Sequence, residues 1–551
     1  MATKAKFRWD ELKASNPLFS MARTTIETAF YGNNVERIKS LAECYKLAKN
    51  APGTVVTDIP VERPEEIGLE QGSKVLLFND GAVTGRTAAA RRIAGEPGVD
   101  VAKICGEIRD AVYAARGRKL YHASAYIGLH HDFMVKANLL IPESHEMLMY
   151  NWLLNFQYIT NEYTKMYRMS NQMNNEGDIY IFADPDWSHP DYPLGLAFFD
   201  PLHNCAAILG MRYFGELKKG TLTLAWTIAN RNGYASCHGG QKRYNLGNGK
   251  SFVAGVFGLS GSGKSTITHA KHGGKYDITV LHDDAFIIST KDGSSVALEP
   301  SYFDKTQDYP MDSPENKYLL SVQNVGATLD EDGRVVLVTE DIRNGNGRAI
   351  KSKLWSPDRV DKIDEPVNAI FYLMKDPSLP PLVKVNGAVL SSVMGAALAT
   401  KRTTAERLAP GVDPDALVFE SYANPFRTYP LSDDYEKFKY LFENRNVDCY
   451  ILNTGFLMDK KIPKEVTLEC IEAVVDGNAQ FKKWGSFDEI EILETEGFTP
   501  DLNDSKYKDL LKARLKDRYD FIKSREEVKG GYDKLPDEAL NAIKKLIDEL
   551  N

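Results

Sequence analysis

An α/β fold spread over two large lobes or three smaller domains is the architecture this sequence predicts, on three observations. The chain has 551 residues, several times the ~150-residue prior for one domain. Short apolar runs of strand type recur between segments whose apolar residues have helical spacing. One of those runs, Val253 to Leu259, enters a glycine-rich loop followed by a short helical pattern, the strand–loop–helix order of a phosphate-binding unit.

Composition narrows the class. The chain is 43% hydrophobic, 26% charged and 10% aromatic, ordinary values for a chain that folds throughout. A net charge of −8, from 68 Lys+Arg against 76 Asp+Glu, argues against a general nucleic-acid or membrane surface, so any anion must be held by a focused site. The six cysteines, Cys44, Cys105, Cys205, Cys237, Cys449 and Cys470, form no CxxC pair, which favours reduced thiols over a disulfide or zinc framework. No secretory apolar region opens the sequence. Its most apolar stretch, Ala388 to Thr400, is interrupted by Ser391, Ser392 and Gly395 and is shorter than the ~20 residues that span a bilayer. A cytoplasmic protein, monomeric or a small homo-oligomer, is expected.

Along the chain, Val35, Ile38, Ala42 and Tyr45 recur at helical spacing behind Asn34, a candidate N-cap, and predict an amphipathic helix. Val75 to Phe78 reads as a strand running into the turn Asn79-Asp80-Gly81, which places Arg86 on a loop. Ile179 to Phe182 reads as a strand before the turn Asp184-Pro185-Asp186, and Leu222 to Ile228 as another strand. Ile278–Leu281, Arg334–Val338, Ala369–Leu373 and Tyr450–Leu452 look like short buried strands. Leu540, Ile543, Ile547 and Leu550 behind Pro536 predict a closing amphipathic helix.

Gly258-Leu259-Ser260-Gly261-Ser262-Gly263-Lys264-Ser265 satisfies G-x-x-x-x-G-K-[ST]. Glycines let the backbone curl so that its N–H groups face phosphate oxygens, Lys264 offsets charge near the β- and γ-phosphates, and the Ser265 hydroxyl can ligate a divalent ion. Gly258, Ser260, Gly261, Ser262, Gly263, Lys264, Ser265 and Thr266 are the expected nucleotide-binding residues. Twenty residues beyond Lys264, the run Ile278–Leu281 leads to Asp283-Asp284, where a P-loop enzyme keeps its metal-holding carboxylate.

With these features in order, the sequence resembles the ATP-dependent phosphoenolpyruvate carboxykinases. Tyr213-Phe214-Gly215-Glu216-Leu217-Lys218-Lys219-Gly220 is similar to that family's Y-x-G-E-M-K-K-G segment, and His238 follows Lys219 by nineteen residues. Thr84-Gly85-Arg86, Leu379-Pro380-Pro381 and Asn453-Thr454-Gly455 resemble its T-G-R, L-P-P and N-T-G segments. The resemblance runs with gaps from Ser73 to Gly485 and implies a two-lobed carboxykinase-like α/β fold. Residues 1–234 would form a substrate-binding domain and 235–551 a P-loop domain binding ATP and metal. It implies that Lys219, His238 and Asp284 hold Mn²⁺, although lysine must be neutral to coordinate. Lys264 and Ser265 would serve ATP phosphates and Mg²⁺, with Asp283 beside them. Arg86 and Tyr213 would bind the acid substrate, and Lys461 and Thr467 fall where the family contacts adenine. Decarboxylation of oxaloacetate and phosphorylation of the enolate is the activity implied.

Departures concern the substrate. After the two aspartates the family reads E-H-G-W, whereas this chain reads Ala285-Phe286-Ile287-Ile288, and Arg86 is followed by Thr87-Ala88-Ala89-Ala90 in place of S-P-K-D-K. Lys384 stands where an Arg normally follows L-P-P and contacts phosphate and substrate. A lysine offers a point charge where arginine offers a planar fork, so altered use of oxaloacetate is expected. Two alternatives follow: a divergent kinase of this fold acting on another small acid or a protein hydroxyl, and a nucleotide-binding regulator without turnover. His130-His131-Asp132 also has metal-ligand chemistry, but adjacent residues on a regular element point in different directions, and the trio is assigned a structural role.

Overall fold

The computed structural model describes residues 20–79, 82, 87–259, 261–307, 309–310, 312–341, 344–401 and 417–550. Arg86 and Ser260 lie outside these residues. The chain divides into two compact units, Met1–Ile228 with Ala297–Pro357, and Ala229–Val296 with Asp358–Asn551.

In the first unit an eight-stranded sheet has the spatial order Val35–Arg37, Leu120–His130, Phe133–Pro142, Ile179–Asp184, Cys205–Leu209, Leu196–Asp200, Arg91–Ile93, with Gln157–Tyr158 beside Leu120–His130. The helices Met21–Ala29 and Val101–Ala115 bury Ile26, Ile104 and Ile108 against Phe182, Phe198 and Ala207 of this sheet. A five-stranded sheet completes the unit: Tyr302–Lys305, Arg348–Lys351, Leu319–Gln323, Lys74–Phe78, Thr54–Pro60. Here the expected boundary at 234/235 needs correction. Ser321 pairs in parallel with Leu76 and Gln323 with Phe78, so Ala297–Pro357 belongs with the N-terminal unit; a linear cut cannot register that long-range pairing.

Two element types also differ from expectation. Val35–Arg37 is a strand, parallel to Leu120–His122, and the helix starts only at Leu41, where the Ser40 side chain accepts from the Glu43 N–H. Residues 222–228 belong to the eighteen-residue helix Phe214–Arg231. Leu222, Leu224, Ala225, Trp226 and Ile228 are all fully buried there, and an apolar run buried on every side has no period that separates helix from strand. Thr221 and Thr227 donate to the carbonyls four residues back, Leu217 and Thr223, at 2.8 Å, which satisfies their hydroxyls inside a helix.

The second unit is built on another eight-stranded sheet. In chain order its strands are β1 (Gly240–Gly247), β2 (Lys250–Phe257), β3 (Asp277–His282), β4 (Ala369–Met374), β5 (Leu382–Val385), β6 (Asp448–Asn453), β7 (Phe481–Lys483) and β8 (Ile490–Leu493), in the spatial order β3-β1-β2-β4-β6-β5-β8-β7. Alternation decides its two faces. Ala254, Val256, Phe371 and Leu373 face the helix Lys464–Val475 through Cys470, Ile471 and Val474. On the opposite side Phe257 meets Phe286 and Phe438 at ring distances of 6.0 and 5.7 Å. The apolar stretch from Ala388 folds as the buried helix Ala388–Ala396. No helix among the described residues is long and apolar enough to cross a membrane.

Candidate active site

Strands β2, β4 and β6 run parallel to one another, so their C-terminal ends share one edge, where an open α/β sheet presents ligand sites. β1 is antiparallel to both β2 and β3, with Gly240 opposite Val256 and Gln241 opposite His282, which brings the start of β1 and the end of β3 to the same edge. Five sequence segments therefore converge there: Gly258–Ser265 after β2, His238 and Gly239 before β1, Asp283-Asp284 after β3, Lys375 after β4, and Thr454-Gly455 after β6.

The described residues of the glycine-rich segment lead from β2 into the helix Lys264–His269. Gly263 adopts φ +94° and caps the helix Lys264–His269, leaving the first-turn N–H groups directed at the loop. A Cβ on Gly258 would lie 2.4 Å from the Ser262 Oγ and 2.8 Å from the Leu373 Cβ, so only glycine permits the tight curl. Lys264 is half-buried and Ser265 and Thr266 are exposed. Thr454 donates its hydroxyl to the Ser262 carbonyl at 2.9 Å, and Asn453 donates to the carbonyls of Asp376, Leu379 and Phe456. The N-T-G segment thus braces two loops of the edge.

The two aspartates take different partners. His238 Nε2 lies 2.9 Å from Asp284 Oδ1, while its Nδ1 donates to the Ala423 carbonyl. That carbonyl is presented by a backbone held at positive φ, +52° at Tyr422 and +54° at Ala423. With Nδ1 carrying a proton, the neutral imidazole has its lone pair at Nε2, and two acceptors this close require a proton or a cation between them. An imidazole fixed by a backbone carbonyl and set beside a carboxylate is a donor set that fits a divalent ion. Asp283 pairs with His269 of the phosphate-loop helix at 3.5 Å. Burial pushes its carboxyl up, but His269 and His282 outweigh it and bring the carboxyl down to about 2.

Lys375 was not anticipated. Burial, reinforced by the charge of Lys461, lowers its pKa, and it sits between the phosphate-loop and N-T-G strand ends; a lone lysine behind an apolar strand carries no sequence signal. Lys461 itself is exposed on the strand Lys460–Lys461. Thr467 is buried in the helix Lys464–Val475 with its hydroxyl on the Pro463 carbonyl at 3.3 Å.

Lys384 does not join this group. It lies on β5 opposite Tyr450, three residues before Asn453, roughly 10 Å back from the edge at ~3.3 Å per residue, and pairs with Asp448 at 3.4 Å. The L-P-P resemblance located the segment, but the strand direction carries this lysine away from the phosphate loop.

The remaining expected residues lie in the first unit. Tyr213 is half-buried just before the helix Phe214–Arg231; burial, with Glu216 adding and Arg348 opposing, pushes its hydroxyl up to about 12. Arg348, anchored to the carbonyls of Gly345 and Gly347 at 2.8 and 2.9 Å, was missed because 135 residues separate it from Tyr213. Lys218 is a fully buried lysine paired with the equally buried Glu299 at 3.0 Å. Lys219 is half-buried, its Nζ 5.9 Å from the Trp226 ring centre.

Comparison with known proteins agrees with this chemistry. A family model described as phosphoenolpyruvate carboxykinase matches residues 61–494. The chain is 27% identical over 346 residues to the protein named phosphoenolpyruvate carboxykinase (ATP) of Aeropyrum pernix, covering 58% of this chain and 67% of that protein. It is 26% identical over 298 residues to proteins of the same name from two strains of Bradyrhizobium, covering 50% of this chain and 51% of theirs. The matched stretch thus spans about half the length of the Bradyrhizobium relatives. Because the family model extends over most of the sequence and its P-loop, histidine and aspartate meet at one sheet edge, this chain belongs to the phosphoenolpyruvate carboxykinase family.

Proposed function

We propose that this chain is an ATP-dependent phosphoenolpyruvate carboxykinase. In that reaction oxaloacetate loses carbon dioxide, and the oxygen of the resulting enolate of pyruvate takes the γ-phosphoryl group of ATP to give phosphoenolpyruvate and ADP. The observation that carries the reading is the pairing of His238 and Asp284, at 2.9 Å, on the same sheet edge as the phosphate loop.

His238 and Asp284 would hold Mn²⁺, and Ser265 would hold Mg²⁺ beside Asp283. Divalent ions there would neutralise charge on the transferring phosphoryl group and on the enolate oxygen. Lys264 and the backbone N–H groups of the loop would orient the triphosphate. Tyr213 and Arg348 would bind a substrate carboxylate, Arg348 through its planar fork, and Arg86, outside the described residues, would add a second cation. Lys375 adds positive charge at the nucleotide edge. Little acid–base work is needed: the chain positions the phosphoryl group, and exclusion of water protects the enolate from protonation.

Phosphoenolpyruvate formation by the purified protein with ATP, Mn²⁺ and oxaloacetate, read in a coupled assay, tests the proposal. Nucleotide binding with no turnover of oxaloacetate, but phosphorylation of another acid, would leave the divergent-kinase reading in its place.

A further inference from the structure

His130, His131 and Asp132 form the turn that joins the strands Leu120–His130 and Phe133–Pro142. The ladder between these strands is irregular between Ile127 and His130, and His130 pairs with Phe133. Gly128 makes the irregularity possible: its φ is +88°, and a Cβ there would lie 2.2 Å from the Phe133 carbonyl oxygen. Strand alternation therefore stops before the histidines. Their rings lie 4.0 Å apart between centres with 39° between planes, so two consecutive residues share a side, contrary to what a regular strand predicts.

Asp132 completes the cluster. Its Oδ2 is 3.4 Å from His130 Nδ1 and its Oδ1 is 3.4 Å from His131 Nε2. One ligand atom from each of the three residues lies within 4.8 Å of the other two. Tetrahedral ligands at ~2.1 Å from a metal stand about 3.4 Å apart, and each histidine nitrogen already stands at that distance from one of the two Asp132 oxygens. The side chains of His130, His131 and Asp132 are 24%, 44% and 34% exposed, which leaves an entry path and room for water as further ligand. Two imidazoles and one carboxylate suit a borderline divalent ion such as Zn²⁺, Co²⁺ or Ni²⁺ better than Mg²⁺ or Ca²⁺.

We propose that His130, His131 and Asp132 bind a divalent transition-metal ion at this hairpin tip, apart from the metal ligands proposed for the carboxykinase reaction. Ligation through His130 Nδ1 would replace the 3.3 Å hydrogen bond this nitrogen accepts from the Asp132 N–H. The ion would clip the turn closed by joining three consecutive side chains.

Zn²⁺ titration of the full chain by calorimetry tests this, in a background carrying Asp284→Asn so that the carboxykinase ligands contribute little. One equivalent of Zn²⁺ should bind in that background and weaken at least tenfold in His131→Ala. Asp132→Asn, which keeps the side-chain volume, should weaken binding in the same direction and serves if the histidine variant misfolds. Co²⁺ bound to the Asp284→Asn protein should show a visible ligand-field spectrum that disappears with His131→Ala. Zn²⁺ binding of equal stoichiometry and affinity with and without both substitutions would overturn the site.

Discussion

The fully buried side chain of Lys242 donates to the Ile267 carbonyl at 2.7 Å, and to that of Ala270 at 2.8 Å. These carbonyls belong to the end of the helix Lys264–His269, so a lysine on β1 caps the helix that the phosphate loop begins. A Lys242→Met variant leaves two carbonyls without this partner, each costing ~1–3 kcal/mol when buried. Urea denaturation should show a loss of about 2–5 kcal/mol, and nucleotide affinity should fall with it.

The same lysine predicts a pH dependence. Burial pushes Lys242 down to about 7, against ~10.4 in an unfolded chain. Between these values the unfolded state binds more protons, so this group's contribution to stability rises with pH. Its penalty is fully present below pH 7 and gone above about 10.5. The stability difference between wild type and Lys242→Met should therefore shift in favour of wild type from pH 7 to 9.5, by at most ~1.4 kcal/mol per pH unit. A flat difference across that window would show that Lys242 keeps its ordinary pKa.

Asp284→Asn removes the carboxylate facing His238. The Mn²⁺ concentration for half-maximal activity should rise at least ~10–100-fold, whereas nucleotide affinity should change only a few-fold, since the phosphate loop stays intact. Chelation should abolish wild-type activity and added Mn²⁺ restore it.

Lys264→Ala should lower kcat by about 10²–10³-fold, the scale set by losing one preorganised charge donor to the transition state. Steady-state kinetics with saturating oxaloacetate reads this directly. Turnover at the wild-type rate would remove the phosphate-loop role.

Lys384→Arg should leave kcat/KM for oxaloacetate within about twofold of wild type. Its partner is Asp448, a half-exposed ion pair of the kind that contributes ~0–1 kcal/mol, and its strand directs it away from the catalytic edge. A large gain in oxaloacetate use would instead place Lys384 at the substrate.

Arg518 and Asp376 form a buried ion pair at 2.7 Å that anchors the helix Ser505–Ser524 to the loop following β4. Arg518→Met strands the Asp376 carboxylate and should cost about 3–5 kcal/mol, much of it recovered when Asp376→Leu is added. Calorimetric unfolding of the single and double variants measures both.

Features whose physics is local were legible along the chain. Residues Val253 to Ser265 make strand, loop and helix because the apolar run, the positive-φ glycine and the helix start follow one another along the chain. The faces of β2 and β4 follow from simple alternation, and the ordered series Tyr213, Lys219, His238, Lys264 and Asp284 placed the chain in its family without coordinates. Tertiary structure decided what depends on distant partners. Residues 222–228 became helix because burial on all sides erases the period that marks helix or strand. Arg348 reached Tyr213, and Ala297–Pro357 joined the first unit, through pairings that no local pattern encodes. Lys384 was turned from the site by the direction of β5, and His130 and His131 were brought to one side by an irregularity at Gly128. In each case the deciding quantity is where a backbone segment pairs, a property of strand register across the fold and not of the residues beside it in sequence.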